Sequence, residues 1–189
     1  MRRVDVWLQD WRAAKVRPWV PIGARVLDIG CHQGQFLQSL GDRIGPSVGV
    51  DPLAEPWTTS RFRVIRGTFP GTEPFAPGSF DVVTMLAVIE HIPDWRALVG
   101  ECRKILPPGG RIILTVPSPA VDHILAVLLK FKIVSGMSLE EHTGLDPADL
   151  PRSFEQQSFV LERWQRFQLG LNNLMVFRRQ ATSSIANSA

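Results

Sequence analysis

Apolar positions along the chain alternate between two spacings. Val4, Trp7, Leu8, Trp11 and Ala14 recur at steps of three and four, the pattern of an amphipathic helix, and Pro18 and Pro21 end it. Short apolar runs at 25–29, 47–50, 63–66, 80–85 and 111–116 read instead as buried strands. Between them, helical spacing is expected over 33–40 and 95–106, the latter with Leu98, Val99, Cys102, Ile105 and Leu106 along one side. Little more than a turn of helix fits between Asp51 and Phe62, a stretch interrupted by Pro52 and Pro56. Residues 67–78 hold three prolines and three glycines and predict a loop. After Pro117 and Pro119, Val121, Ile124, Leu125, Leu128 and Leu129 mark a further helix, over 121–136. Segments 159–169 and 171–178, joined near Gly170, predict an antiparallel hairpin. Strands alternating with helices imply an α/β fold, a mostly parallel sheet covered on both faces and wound by right-handed crossovers.

A chain of 189 residues with 44% hydrophobic and 21% charged residues predicts one well-buried domain, neither disordered nor coiled coil. The expected organisation is a single domain over 1–180, with an N-terminal helix in 1–21, further helices in 119–157 and a flexible tail at 181–189. The net charge of +3 comes with scattered arginines and no basic block, so nucleic-acid binding is unsupported. Cys31 and Cys102 form no disulfide framework, which fits a reducing compartment. Asp5, Gln9 and Asp10 follow Met1-Arg2-Arg3, so no signal-peptide core is present, and the longest apolar stretch, 124–129, is too short for a transmembrane segment. A cytoplasmic protein is expected; the oligomeric state is open.

The chemistry concentrates where the first strand, Val26-Leu27-Asp28-Ile29, breaks into Gly30-Cys31-His32-Gln33-Gly34. Glycine has no Cβ and tolerates positive φ, so backbone there can approach a ligand closely, and the following helix offers free amides. The second strand ends on Asp51, placed to accept hydrogen bonds from ribose hydroxyls. From Gly30 only Gly34 recurs, so the three-glycine dinucleotide fingerprint is absent, as is the lysine of a P-loop.

These residues resemble the first motif of the class I S-adenosylmethionine-dependent methyltransferases, acidic-x-Gly-x-Gly-x-Gly, with Asp28, Gly30 and Gly34 in place and His32 where the middle glycine usually stands. The resemblance continues through Gly78-Ser79-Phe80-Asp81-Val82-Val83 to Ala87-Val88-Ile89-Glu90-His91-Ile92-Pro93-Asp94, similar to the fourth-strand motif of the small-molecule, type 11-like branch. Leu106-Pro107-Pro108-Gly109-Gly110 resembles the turn into its fifth strand. With Val48-Gly49-Val50-Asp51, the acidic end of the second strand, four motifs stand in order over roughly residues 24–118. The family's fold is a Rossmann-like, doubly wound, seven-stranded sheet whose C-terminal strand is antiparallel.

The resemblance implies S-adenosylmethionine as cofactor. Asp28, Gly30 and Gly34 would then border its methionine portion and ribose, with Cys31 and His32 in the same turn, and Asp51 would hold the ribose hydroxyls. Pro52 and Leu53 would lie beside adenine, Leu53 against its face. Thr68 and Phe69 fall where many relatives place an adenine-binding aspartate. Leu86 and Ala87 would flank the methionine and sulfonium. His32 is expected to keep its backbone out of the region that only glycine visits readily, and Cys31 to be a packing residue. Toward the acceptor, His91 is a candidate general base after the fourth strand. His142, beside Glu141, is the second candidate, in a polar cluster at 138–146 where Asp146 and Pro147 also read as a helix cap. No metal is called for.

The expected activity is methyl transfer to a small-molecule acceptor by in-line displacement, in which the protein mainly holds donor and acceptor in near-attack geometry. The rivals are a non-catalytic protein that holds S-adenosylmethionine or S-adenosylhomocysteine, and an RNA or protein methyltransferase.

Overall fold

The structure is a computed structural model and describes residues 3–118 and 145–181. Eight strands form one sheet: β1 (Val26–Ile29), β2 (Ser47–Asp51), β3 (Trp57–Thr58), β4 (Phe62–Arg66), β5 (Val82–Leu86), β6 (Arg111–Pro117), β7 (Phe159–Phe167) and β8 (Asn172–Arg179). Their order is β3-β4-β2-β1-β5-β6-β8-β7. Strands β4, β2, β1, β5 and β6 run parallel, β8 lies antiparallel to β6, and β7 returns antiparallel to β8. The expected doubly wound sheet with a reversed C-terminal strand is thus present, extended by the two-residue β3.

That edge strand replaces the turn of helix expected between Asp51 and Phe62. Pro56 biases the preceding backbone toward extended geometry, and Trp57 gains more as a strand residue than on a helix. Its ring meets Phe62 edge-on at 5.1 Å, and its Nε1 donates to the carbonyl of Gln33 at 3.2 Å.

Among the described residues the α-helices are α1 (Arg3–Val16), α2 (Gln35–Leu40), α3 (Trp95–Ile105) and α4 (Leu150–Glu155). Helix α2 starts at Gln35 rather than 33 because Gly34 sits in left-handed conformation at its N-cap. Helix α3 starts where Asp94 accepts from the Ala97 amide at 3.1 Å. Asp146 caps as expected, accepting from Ala148 N at 2.8 Å, though what it opens is a 3₁₀ turn, Pro147–Asp149, before α4. The helix expected over 121–136 and the tail beyond 181 lie outside the described residues.

Alternation along the strands divides the core in two. Leu27, Ile29, Val83, Met85, Ile112 and Leu114 pack with Trp95, Leu98, Val99 and Cys102 of α3 and with Leu150 and Phe154 of α4. Their neighbours Val26, Val82, Ile113 and Val176 pack with Phe36, Leu37 and Leu40 of α2 and Val16 of α1. At the base of the sheet, Arg25 reaches Asp81 through its backbone N at 2.8 Å, Nε at 3.0 Å and Nη2 at 2.8 Å. Asp81 therefore serves as a clamp below β5, which begins one residue later at Val82. The chain moves outward from β1 to β2 and β4, then crosses to β5 on the other side of β1. This reversal opens a crevice at the carboxyl ends of β1 and β5, where open α/β sheets bind ligands.

Candidate cofactor site

The turn leaving β1 is built around backbone that side chains would obstruct. Gly30 has φ +72°, and a Cβ there would stand 2.3 Å from Val88 Cγ2. Gly34 has φ +80°, and a Cβ on it would meet Val64 Cγ2 at 2.7 Å, so this glycine lets α2 sit down on β4. The amide of Gly30 donates to the Val50 carbonyl at 2.8 Å, tying the turn to β2.

Asp51 completes that tie. One carboxylate oxygen accepts from the His32 amide at 2.9 Å and the other from the Leu53 amide at 2.8 Å. Its own carbonyl accepts from Gly67 N at 3.0 Å, which brings the end of β4 alongside. Each carboxylate oxygen has a second lone pair for a further donor.

His32 departs from expectation. Its backbone adopts φ +50°, inside the left-handed region it was expected to avoid. The conformation costs about 1–2 kcal/mol for a residue with a Cβ. It is held by the amide bond to Asp51 and by a 3.1 Å contact between the ring Nδ1 and Gln35 Nε2. The side chain is exposed at the rim.

Asp28 lies below the turn, 2% exposed, and accepts a 2.6 Å hydrogen bond from the Thr84 hydroxyl across the β1–β5 register. Burial pushes its carboxyl up to about 7, and the Thr84 bond offsets only part of that. Cys31 is buried in the α2-side core and its thiol is pushed up to about 12 by burial, as suits a packing residue rather than a nucleophile.

A cavity of about 330 Å³ opens over this turn. Asp28, Gly30, Cys31, His32 and Leu86 line it from the sheet side, together with Gln35, Phe36 and Ser39 of α2. The other wall is α1, through Gln9, Asp10, Arg12 and Ala13. Gly34, Asp51, Pro52, Leu53, Thr68, Phe69 and Ala87 fall outside that lining. Asp51, Leu53 and Thr68 are gathered on the far side of the turn by the bonds to Leu53 and Gly67. Leu53 is 78% exposed there and Thr68 is exposed, while Phe69 packs against Phe75 with ring centroids 5.9 Å apart. Ala87 leaves β5 at φ +58°, its amide donating to Thr115 at 2.9 Å.

Beyond β5 the Ile89–His91 turn presents the two residues of the Glu-His pair differently. His91 is exposed and does not line the cavity, whereas Glu90 is 3% exposed, its carboxyl raised to about 7 by burial, with Arg12 opposing that shift. His142 and Glu141 lie outside the described residues. The α1 residues Gln9, Asp10, Arg12 and Ala13 escaped the sequence reading because helical spacing reports which residues pack, whereas a cavity wall is set by what the helix packs over.

Comparison with known proteins bears on this site. Residues 5–173 match a family model described as a methyltransferase domain. The chain is 34% identical over 102 residues to the ubiquinone biosynthesis O-methyltransferase of Idiomarina loihiensis, a match covering 49% of this chain and 42% of the relative. The chain spans about half the length of the curated relatives it matches. Among solved structures, a chain of the complex between the Haloferax volcanii Trm112 methyltransferase activator and a methyltransferase superposes with a TM-score of 0.71. Identity is 18%, and the match covers 94% of this chain and 93% of that one. The Burkholderia thailandensis 1,6-didemethyltoxoflavin-N1-methyltransferase, with its substrate and S-adenosylhomocysteine bound, gives 0.68 at 18% identity, covering 94% and 82%. With the family model spanning most of its length, this chain belongs to the methyltransferase-domain family.

Proposed function

We propose that this chain is an S-adenosylmethionine-dependent methyltransferase acting on a small-molecule acceptor in the cytoplasm. The observation that carries the reading is the joining of the Gly30 turn to the Asp51 carboxylate, beside a cavity of ligand size floored by a buried acid. The residues suit the cofactor. Gly30 lets Val88 close directly on the turn that borders the cavity, Asp51 keeps acceptor capacity for ribose hydroxyls, and Asp28 faces the cavity as a counter-charge for a cationic group. Leu53, Thr68 and Phe69 border the adenine side, and Leu86 and Ala87 the methyl-bearing side.

When bound, the cofactor supplies an activated methyl on a sulfonium centre. The chain's own contribution is to seat that group between β1, β5 and α1, to exclude water with Leu86 and Phe36, and to align the acceptor in line with it. His91 or His142 is the imidazole proposed to remove a proton from the acceptor. The bound toxoflavin precursor of the Burkholderia enzyme and the quinone pathway named for the Idiomarina relative both support a small acceptor. So does the absence of a basic block from the chain.

Calorimetric titration with S-adenosylhomocysteine tests the cofactor assignment. Micromolar binding by wild type, weakened at least tenfold by Asp51→Asn, is the expected result; a wild-type chain that takes up no ligand overturns the reading. Transfer of labelled methyl to a pool of phenolic and heterocyclic metabolites, lowered by His91→Ala, then tests the acceptor side.

A further inference from the structure

Helix α3 packs on the face of the sheet opposite the cofactor cavity, and its outer side carries a group of cations. Arg96, Gly100 and Arg103 follow one another at steps of four and three and so share a helix face, with Lys104 beside them. Gly100 is small where the α4–β7 turn comes down on the helix. A Cβ there would stand 3.2 Å from Gln157 Oε1, and Gln157 Nε2 donates to the Arg96 carbonyl at 2.8 Å. Helix and turn thereby bound an open cleft of about 650 Å³, with Arg96, Arg103 and Lys104 on the α3 wall and Gln156 and Ser158 on the other.

A fourth cation stands beside Arg103. The Gln180 amide donates to the Ser158 carbonyl at 2.8 Å, which brings the end of β8 against the turn, and Arg179 donates from Nη1 to the Leu106 carbonyl at the end of α3. Burial and then the charge of Arg103 lower the Arg179 pKa, so the two guanidiniums are near neighbours. The Nε of each is buried and has no hydrogen-bond partner among the described residues.

Surface pairing does not account for the group. Glu101 is the one carboxylate lining the cleft, and it is paired with Lys104 at 2.7 Å. The dipole of α3 favours Arg103 and Arg179 near its C-terminal end but disfavours Arg96, which sits in the first turn. Arg96 is held instead by its neighbour, its guanidinium lying 4.3 Å over the Trp95 ring. Like charges gathered on one wall repel each other, and a ligand bearing several negative oxygens relieves that repulsion. Guanidinium forks match phosphate oxygens with paired N–H donors, while the Ser158 hydroxyl and Gln156 amide add donors without charge.

We propose that the cleft between α3 and the α4–β7 turn binds a soluble phosphorylated ligand, with Arg96 and Arg103 meeting the phosphoryl oxygens and Arg179 reinforcing Arg103. The cleft and the cofactor cavity lie on opposite faces of the sheet, so the assignment stands apart from the function proposed above.

Calorimetric titration of the full chain with inorganic phosphate and with pyrophosphate, at ionic strength held constant by sodium chloride, tests it. Wild type is expected to bind pyrophosphate with a Kd of about 1 mM or tighter, and inorganic phosphate more weakly because it carries less charge. Arg103→Gln should weaken pyrophosphate at least about tenfold, the loss expected for one charge-assisted pair. Arg43→Gln, which removes an exposed arginine elsewhere, should change it by less than about twofold. Saturating S-adenosylhomocysteine should leave the titration unchanged. No pyrophosphate binding by wild type, equal effects of Arg103→Gln and Arg43→Gln, or displacement by S-adenosylhomocysteine overturns the assignment. So does binding to phosphatidic acid vesicles, which present the phosphoryl group on a membrane, with none to the soluble ligands. Should Arg103→Gln fail to fold, Arg96→Gln, at an exposed position, carries the same comparison with Arg43→Gln.

Discussion

The central strands β1, β5 and β6 present unlike faces to their two layers of helices. Toward α3 and α4 they offer Leu27, Ile29, Val83, Met85, Ile112, Leu114 and Val116, all buried against an aromatic cluster in which Phe154 and Phe177 stack at 3.9 Å. Toward α1 and α2 the same strands bury Asp28, Thr84 and Thr115, and the Thr115 Oγ has no hydrogen-bond partner among the described residues. The first face is closed and apolar. The second has a cavity at its upper end. Buried polar groups are costly where a well-packed apolar face is available, so their confinement to one face of three adjacent strands marks where ligand chemistry displaces packing as the constraint.

The contrast is most strongly tested by cutting into the closed face. Phe154→Ala is expected to lower unfolding free energy by about 3–5 kcal/mol, read from urea denaturation. The fraction that stays folded should bind S-adenosylhomocysteine as wild type does; a comparable loss of affinity would mean the faces are not independent.

Next in size is the glycine turn. Gly30→Ala forces a Cβ into Val88 at positive φ, while Gly109→Ala, at φ +85° with open space around it, meets only the conformational cost. The second variant is expected to lose about 1 kcal/mol of stability and no affinity. The first should lose more stability and at least tenfold in S-adenosylhomocysteine affinity. Matching losses in the two variants would reduce the Gly30 turn to a generic bend.

The buried acids give a pH signature. Burial raises Asp28 and Glu90 to about 7, so between roughly pH 4 and 7 the native state keeps protons that the unfolded chain has released. Stability contributed by these groups is therefore fullest at low pH and declines as pH rises through that window. Asp28→Asn keeps an acceptor for Thr84 and removes the titration. Its stability advantage over wild type should widen by about 2 kcal/mol between pH 5 and pH 8, measured as the shift in denaturation midpoint. A pH-independent difference would show that Asp28 is ionised throughout.

The smallest effect belongs to a cap on the closed side. Asp94→Ala removes the acceptor for Ala97 N and is expected to cost about 1 kcal/mol in thermal or urea unfolding, with cofactor affinity unchanged.

Much of this architecture was legible before the fold was known, because strand and helix periods are local. The runs at 25–29, 47–50, 80–85 and 111–116 are short and apolar wherever they sit, and Gly30, Gly34 and Asp51 occur at spacings that a strand-turn-helix unit requires. Errors arose where a neighbour outweighed local preference. Trp57 joined the sheet edge because Phe62 and the Gln33 carbonyl were there to receive it, and His32 took a left-handed backbone because Asp51 held its amide.

The sequence by itself determined the mostly parallel α/β plan, the C-terminal hairpin and the glycine turn with its acidic strand end, since each follows from period, turn chemistry or contiguous spacing. Tertiary structure alone decided which polar residues share a cavity. Arg12, Asp28 and Leu86 are far apart in the chain and converge only because α1 is fastened over the crevice beside β1. The burial that gives Asp28 and Glu90 their raised pKa values is likewise a property of the assembled layers, as desolvation depends on every element packed around a group and on no one segment.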